Sequence, residues 1–82
     1  MSDRYANQVI VLTGASAGIG RALALELAGE RPRLVLAARD AGRLEEVAAA
    51  CRERGAEALV VPTDVTDEAA CRDLVARTVE AF

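Results

Sequence analysis

With 82 residues, the chain is one small domain or part of a larger one, able to bury only about 60–65% of its unfolded surface. Hydrophobic residues make up 52% of it and the net charge is −3, which excludes a disordered chain and a basic nucleic-acid binder. All ten basic residues are Arg, and the lack of Lys and His removes most general bases and Schiff-base nucleophiles.

The first apolar run, Val9 to Leu12, is too short to span a bilayer or to form a secretory signal core, and its flanks are polar. No membrane partner is expected, and a cytoplasmic location is. Tyr5, in the polar segment before this run, reads as a packing or surface residue. After the run come Gly14, Gly18 and Gly20, then an alanine- and leucine-rich stretch whose spacing predicts a helix from about Gly18 to Ala28, with Gly29 and Pro32 as its stop. Leu34 to Ala37 forms a second short apolar run. Asp40 is a good N-cap for a second helix that places Leu44, Val47, Ala48 and Cys51 on one face and ends at Gly55. Leu59 to Val61 forms a third run. A third helix is expected after Thr66, with Asp67 and Glu68 in its first turn and Cys71, Leu74, Val75, Thr78, Val79 and Phe82 as one unbroken stripe facing the core.

The resulting rhythm is β-α-β-α-β-α. Strands that are apolar throughout predict a parallel sheet covered on both faces. Right-handed crossovers then predict strand order 3-2-1, with the first two helices on one face and the third on the other. This is the N-terminal half of a Rossmann-type doubly wound α/β fold, with residues 1–82 as a single domain. Cys51 and Cys71 would lie on opposite sides of the sheet, too far apart for a disulfide, and with no His nearby they form no metal-ligand cluster. Both read as structural thiols on the apolar sides of their helices. Strand 1 would be left as an apolar edge, which predicts association of this chain with a second copy.

The glycines stand where strand 1 hands over to the first helix, where free N–H groups and the positive helix end attract phosphate. Gly14 permits the tight turn, Gly18 leaves room for a pyrophosphate, and Gly20 lets the helix pack closely on the sheet. The spacing is G-x-x-x-G-x-G, without the G-K-[ST] ending that triphosphate hydrolysis would need. The spacing departs from the common dinucleotide fingerprint G-x-G-x-x-G, but with a strand before it and a helix after it cofactor binding is expected over a bare structural turn.

Thr13 to Gly20, T-G-A-S-A-G-I-G, resembles the cofactor loop of the short-chain dehydrogenase/reductase family, T-G-x-x-x-G-x-G, and Arg21 to Ala28 resembles that family's first helix. Asp64-Val65 after strand 3 resembles the family's adenine site, where the Asp carboxylate accepts a hydrogen bond from the adenine amino group. The resemblance implies a cofactor site built from Gly14, Ser16, Ala17, Gly18, Ile19, Gly20, Ala38, Arg39, Asp64 and Val65. At the end of strand 2, Ala38 stands where NAD-type members carry a ribose-binding acid. Arg39 follows it, and a guanidinium can pair in a forked geometry with the 2′-phosphate of NADP. NADP(H) is therefore expected over NAD(H). Some NADP-dependent members carry a second basic residue before the second glycine. Here that position is Ala17, with the Ser16 hydroxyl as the substitute contact.

The family reduces carbonyls or oxidises alcohols with a Tyr-x-x-x-Lys pair assisted by Ser, hydride coming from the nicotinamide. This chain has no Lys, and the family's Asn-Asn-Ala-Gly stretch is absent too. The resemblance thus implies the cofactor-binding part of an NADP(H)-dependent oxidoreductase, inactive by itself, whose carbonyl or alcohol substrate would meet residues outside it. The alternative is a complete, non-catalytic nucleotide-binding module or an engineered minimal Rossmann fragment.

Overall fold

The computed structural model describes residues 5–82. Its elements alternate as β1 (Val9–Thr13), α1 (Gly18–Ala28), β2 (Arg33–Ala38), α2 (Ala41–Glu53), β3 (Glu57–Pro62) and α3 (Glu68–Ala81). All strand pairs are parallel and the sheet order is β1-β2-β3, so β2 is central, with Leu36 in register with Leu12 on one side and Val60 on the other. Each strand ends one residue beyond the apolar run that announced it, and β2 and β3 also begin one and two residues earlier, because backbone pairing continues past the last core-facing side chain.

Side chains alternate across the sheet and divide the core in two. Leu34 and Leu36 of β2 pack with Ala24 and Ala28 of α1 and with Leu44, Val47, Ala48 and Cys51 of α2. Val35 and Ala37 point the other way and pack with Val61 and with Leu74 of α3, flanked by Leu59 and Phe82. Arg33 of β2 lies over the Phe82 ring, 5.7 Å from its centroid, and closes the end of this smaller cluster.

Three expectations need correction. The sheet is not covered on both faces throughout: Val9 and Val11 of β1 are 41% and 43% exposed, because they lie on the α3 side and α3 sits over β2 and β3. For the same reason the stripe on α3 is broken. Only Leu74 is buried, whereas Val75 and Val79 are 63% and 74% exposed. The helix also starts one residue later than expected, since Asp67 is its N-cap and its carboxylate accepts from the N–H groups of Ala69 and Ala70 at 2.9 and 3.4 Å. Asp40 caps α2 as expected, accepting from Arg43 N–H at 3.0 Å.

The two thiols are both free but differ in environment. Cys51 is fully buried and its Sγ donates to the Ala24 carbonyl at 3.6 Å. Burial pushes this thiol up from its ordinary pKa, against the opposing pull of Arg54 and Arg52. Cys71 lies on the opposite side of the sheet and is only partly buried, so it is not the core thiol the spacing suggested. Tyr5 is half-buried and its carbonyl accepts from Gln8 N–H at 2.9 Å. Among the described residues no helix is long and apolar enough to cross a membrane.

Burial at these positions sets two outcomes. Leu36→Ala should lower the unfolding free energy by about 2–5 kcal/mol, while Val79→Ala stays within about 0.5 kcal/mol of the parent, both read by urea denaturation. Alkylation of the native protein followed by peptide mass mapping should label Cys71 readily and Cys51 only after unfolding; comparable native labelling of both would contradict the packing described.

Candidate cofactor-binding site

Parallel pairing in register carries the three strand ends to one edge of the sheet. Thr13 is level with Ala37 and Ala37 with Val61, so the segments after β1, β2 and β3 emerge side by side. Ligands of open α/β sheets bind outside this carboxyl edge. A concavity of about 330 Å³ lies at the opposite edge, lined by Asn7, Arg31, Gly55 and Glu57 among others, away from these strand ends.

The loop from Gly14 to Ala17 is pinned at its start. Ala15, fully buried, donates its N–H to the Ala37 carbonyl at 3.3 Å, which ties the loop to β2. Gly14 and Gly18 adopt left-handed conformations, φ +65° and +58°, that a side chain would strain. Nothing lies within 4 Å of where a Gly18 Cβ would be, which leaves open space above the backbone. Gly20 is confined for a different reason. A Cβ there would overlap the Gly14 carbonyl, so the nearest packing at Gly20 is against the loop's own backbone.

Helix α1 differs from its two companions at the N-terminus. Its N-cap is Ala17, in an extended conformation, and no side chain caps the helix. The first backbone bond is from Arg21 N–H to the Ala17 carbonyl at 3.3 Å, which leaves the N–H groups of Gly18, Ile19 and Gly20 without an intrahelical partner. The first turn has no acidic residue, and Ile19 is 88% exposed beside it. The Ser16 hydroxyl, half-buried in the loop, has no hydrogen-bond partner among the described residues. The arrangement is an unscreened positive helix end with donors to spare, suited to an anionic group.

At the end of β2, Ala38 is half-buried and its carbonyl accepts from Thr63 N–H at 2.8 Å. That bond brings the next residue of each segment together. Arg39 Nη2 donates to Asp64 Oδ1 at 2.9 Å, an ion pair joining residues 25 positions apart. The same Oδ1 accepts from the Thr66 hydroxyl at 2.6 Å and from Thr66 N–H at 2.9 Å. These Thr66 bonds, hydroxyl first, and then the Arg39 guanidinium hold the Asp64 carboxyl down at a pKa of about 2, so it is ionised at neutral pH. Asp64 therefore shapes the turn before α3 through Oδ1, while Oδ2 has no partner among the described residues. Val65 next to it is 57% exposed.

The structure thus brings Gly14, Ser16, Ala17, Gly18, Ile19, Gly20, Ala38, Arg39, Asp64 and Val65 to one sheet edge. Sequence reasoning missed Ala15 and Thr66. Ala15 carries no chemical signal, because its contribution is a buried methyl and a backbone N–H. Thr66 stands in the sequence as the residue before a helix, and an Asp followed two positions later by Thr is an ordinary turn signal for the bond it makes to Asp64.

Comparison with known proteins agrees with this geometry. The family model described as short chain dehydrogenase matches residues 8–82. An uncharacterized oxidoreductase of Listeria monocytogenes is 42% identical over 76 residues, covering 93% of this chain and 31% of the relative. The 11-beta-hydroxysteroid dehydrogenase A of Sesamum indicum is 44% identical over 82 residues, covering 99% of this chain and 24% of the relative. This chain thus spans about a quarter to a third of the length of the relatives it matches. Among solved structures, a short chain dehydrogenase/reductase from Burkholderia phymatum in complex with NAD superposes with TM-score 0.89 at 40% identity, covering 95% of this chain and 28% of that one. L-sorbose reductase from Gluconobacter frateurii, complexed with NADPH and L-sorbose, superposes with TM-score 0.91 at 34% identity, covering 100% and 32%. The match takes in every strand and helix described above, together with the glycine loop and the Arg39–Asp64 edge, and the chain belongs to the short chain dehydrogenase family.

Proposed function

We propose that this chain is the N-terminal, cofactor-binding part of an NADP(H)-dependent oxidoreductase that interconverts carbonyls and alcohols. The observation that carries the reading is the state of Arg39. Its guanidinium is 72% exposed and engages Asp64 through Nη2 alone, so its remaining N–H donors are available to an anion, and Ala38 beside it brings no carboxylate to repel one. An NAD-type site would place an acid there. The neighbours bind either cofactor, NAD in one case and NADPH in another, so the choice rests on this chain's own residues.

The fit extends along the sheet edge. The N–H groups at the start of α1 and the open space over Gly18 suit the pyrophosphate. The Ser16 hydroxyl is available to the same phosphates. Among the described residues Asp64 Oδ2 has no partner and is available to the adenine amino group, and the exposed Val65 next to Asp64 offers apolar surface, as Ile19 does at the start of α1. When bound, the cofactor supplies the hydride that the reaction transfers. This chain's part is to bind and orient the adenosine and phosphates. The chain contains no Lys, so the Tyr–Lys pair implied by the family resemblance is not in it and the 82-residue chain is inactive alone. A small-molecule carbonyl or alcohol substrate and a cytoplasmic location belong to the same proposal.

Titration calorimetry with the two oxidised cofactors tests the assignment. Arg39→Asp should weaken NADP+ binding by about 10- to 150-fold, the equivalent of losing a charge-assisted hydrogen bond, and change NAD+ binding far less. Equal losses for both would sink the 2′-phosphate assignment.

Homo-oligomerisation is part of the proposal for this chain. Among the described residues β1 pairs only with β2, and its other edge, Val9–Thr13, carries no charge or proline to discourage another strand. The chain should therefore sediment as a dimer or larger species at micromolar concentration, and Val11→Lys should return it to a monomer; a monodisperse parent monomer would count against the idea.

A further inference from the structure

The exposed Arg39 guanidinium has one described anchor, Asp64, and Asp64 is itself held by Thr66. The platform around this chain of contacts is rigid. Thr63 is 3% exposed, its hydroxyl donates to the Val61 carbonyl at 2.8 Å, and its N–H ties it to the end of β2. On the far side, Asp67 N–H donates to the Asp64 carbonyl at 2.9 Å. The Asp64 backbone is thus fixed in both directions, and what orients its carboxylate is Thr66. With two Thr66 donors and Arg39 Nη2 all converging on Oδ1, Oδ2 is left unengaged.

We propose that Thr66 is a positioning residue of the adenosine end of the site: by holding Asp64 through Oδ1 it fixes the Arg39 guanidinium for a 2′-phosphate and keeps Oδ2 for the base. The inference rests on the NADP(H) reading above. Its consequence is that recognition of the base and of the 2′-phosphate is coupled through a residue that touches neither. Substituting Thr66 should then act chiefly through Arg39, with a smaller loss through the base that remains without it, and the hydroxyl is the group that matters, since the backbone N–H survives any replacement but proline.

Adenosine 2′,5′-bisphosphate and 5′-AMP differ only in the 2′-phosphate and serve as probes in calorimetry. Thr66→Val should weaken the bisphosphate about tenfold, Thr66→Ser should stay within about twofold of the parent, and in an Arg39→Ala background Thr66→Val should cost less than about threefold. An unchanged bisphosphate affinity in Thr66→Val, a full loss persisting without Arg39, or no rescue by Ser would each overturn the inference. Parent protein that binds 5′-AMP as tightly as the bisphosphate would overturn the cofactor assignment itself, and with it the role in 2′-phosphate binding. The Thr66 anchor is also read without ligand. Thr66 is exposed, so the valine variant should keep its circular dichroism spectrum, and NMR titration of the Asp64 carboxyl carbon should move its midpoint up from about 2 toward the ordinary carboxylate range. An unmoved midpoint would show that the hydroxyl does not hold the carboxylate.

Discussion

The parallel pairing of β2 with a strand on each side is the constraint on which the rest depends. Its backbone groups bond to β1 and β3 in one continuous register, and that register alone brings the segments after Thr13, Ala38 and Pro62 to a common edge. Two loop anchors extend the ladder beyond the strands, from Ala15 N–H to the Ala37 carbonyl and from Thr63 N–H to the Ala38 carbonyl. The glycine loop is held to β2 by the first and the Asp64 turn by the second. Arg39 and Asp64 meet because each stands one residue past a paired position.

The same central strand divides the core. Leu34 and Leu36 face α1 and α2, Val35 and Ala37 face α3, and all four are fully buried. Burial falls off toward β1, whose α3-side valines stay half in water, and toward the outer face of α3. The chain is thus well packed at β2, around Thr63 and between β2 and the helices α1 and α2, and thinly covered over the α3 side of β1 and the outer face of α3.

The helix N-termini show how one physical property serves two ends. Asp40 and Asp67 occupy the orphan N–H groups of α2 and α3 and stabilise those helices locally. Ala17 leaves those of α1 open, forgoing about 1 kcal/mol of capping at the one helix start that lies beside the glycine loop. Asp64 combines both uses in one carboxylate, with Oδ1 engaged by Thr66 and Arg39 and Oδ2 unengaged.

Features under short-range control can be read directly from the residues. Three valine- and leucine-rich runs, the N-cap at Asp40, the stop beyond Ala28 and the glycine turn at Gly14 all reflect local backbone preference and period, so the element order and the glycine loop were legible from the residues. Helix α3 was legible only in part, because its 3.6-residue period reports which side chains share a face and not whether anything covers that face. Packing between elements leaves Val75 and Val79 exposed while Leu74 is not, sets Gly20 against Gly14, and makes Cys51 and Cys71 differ in access. It also brings Arg39 and Asp64 together as a pair with Thr66 behind it. These are contacts between elements, and their existence depends on strand register and on how far a helix reaches across a three-stranded sheet, which no local pattern encodes.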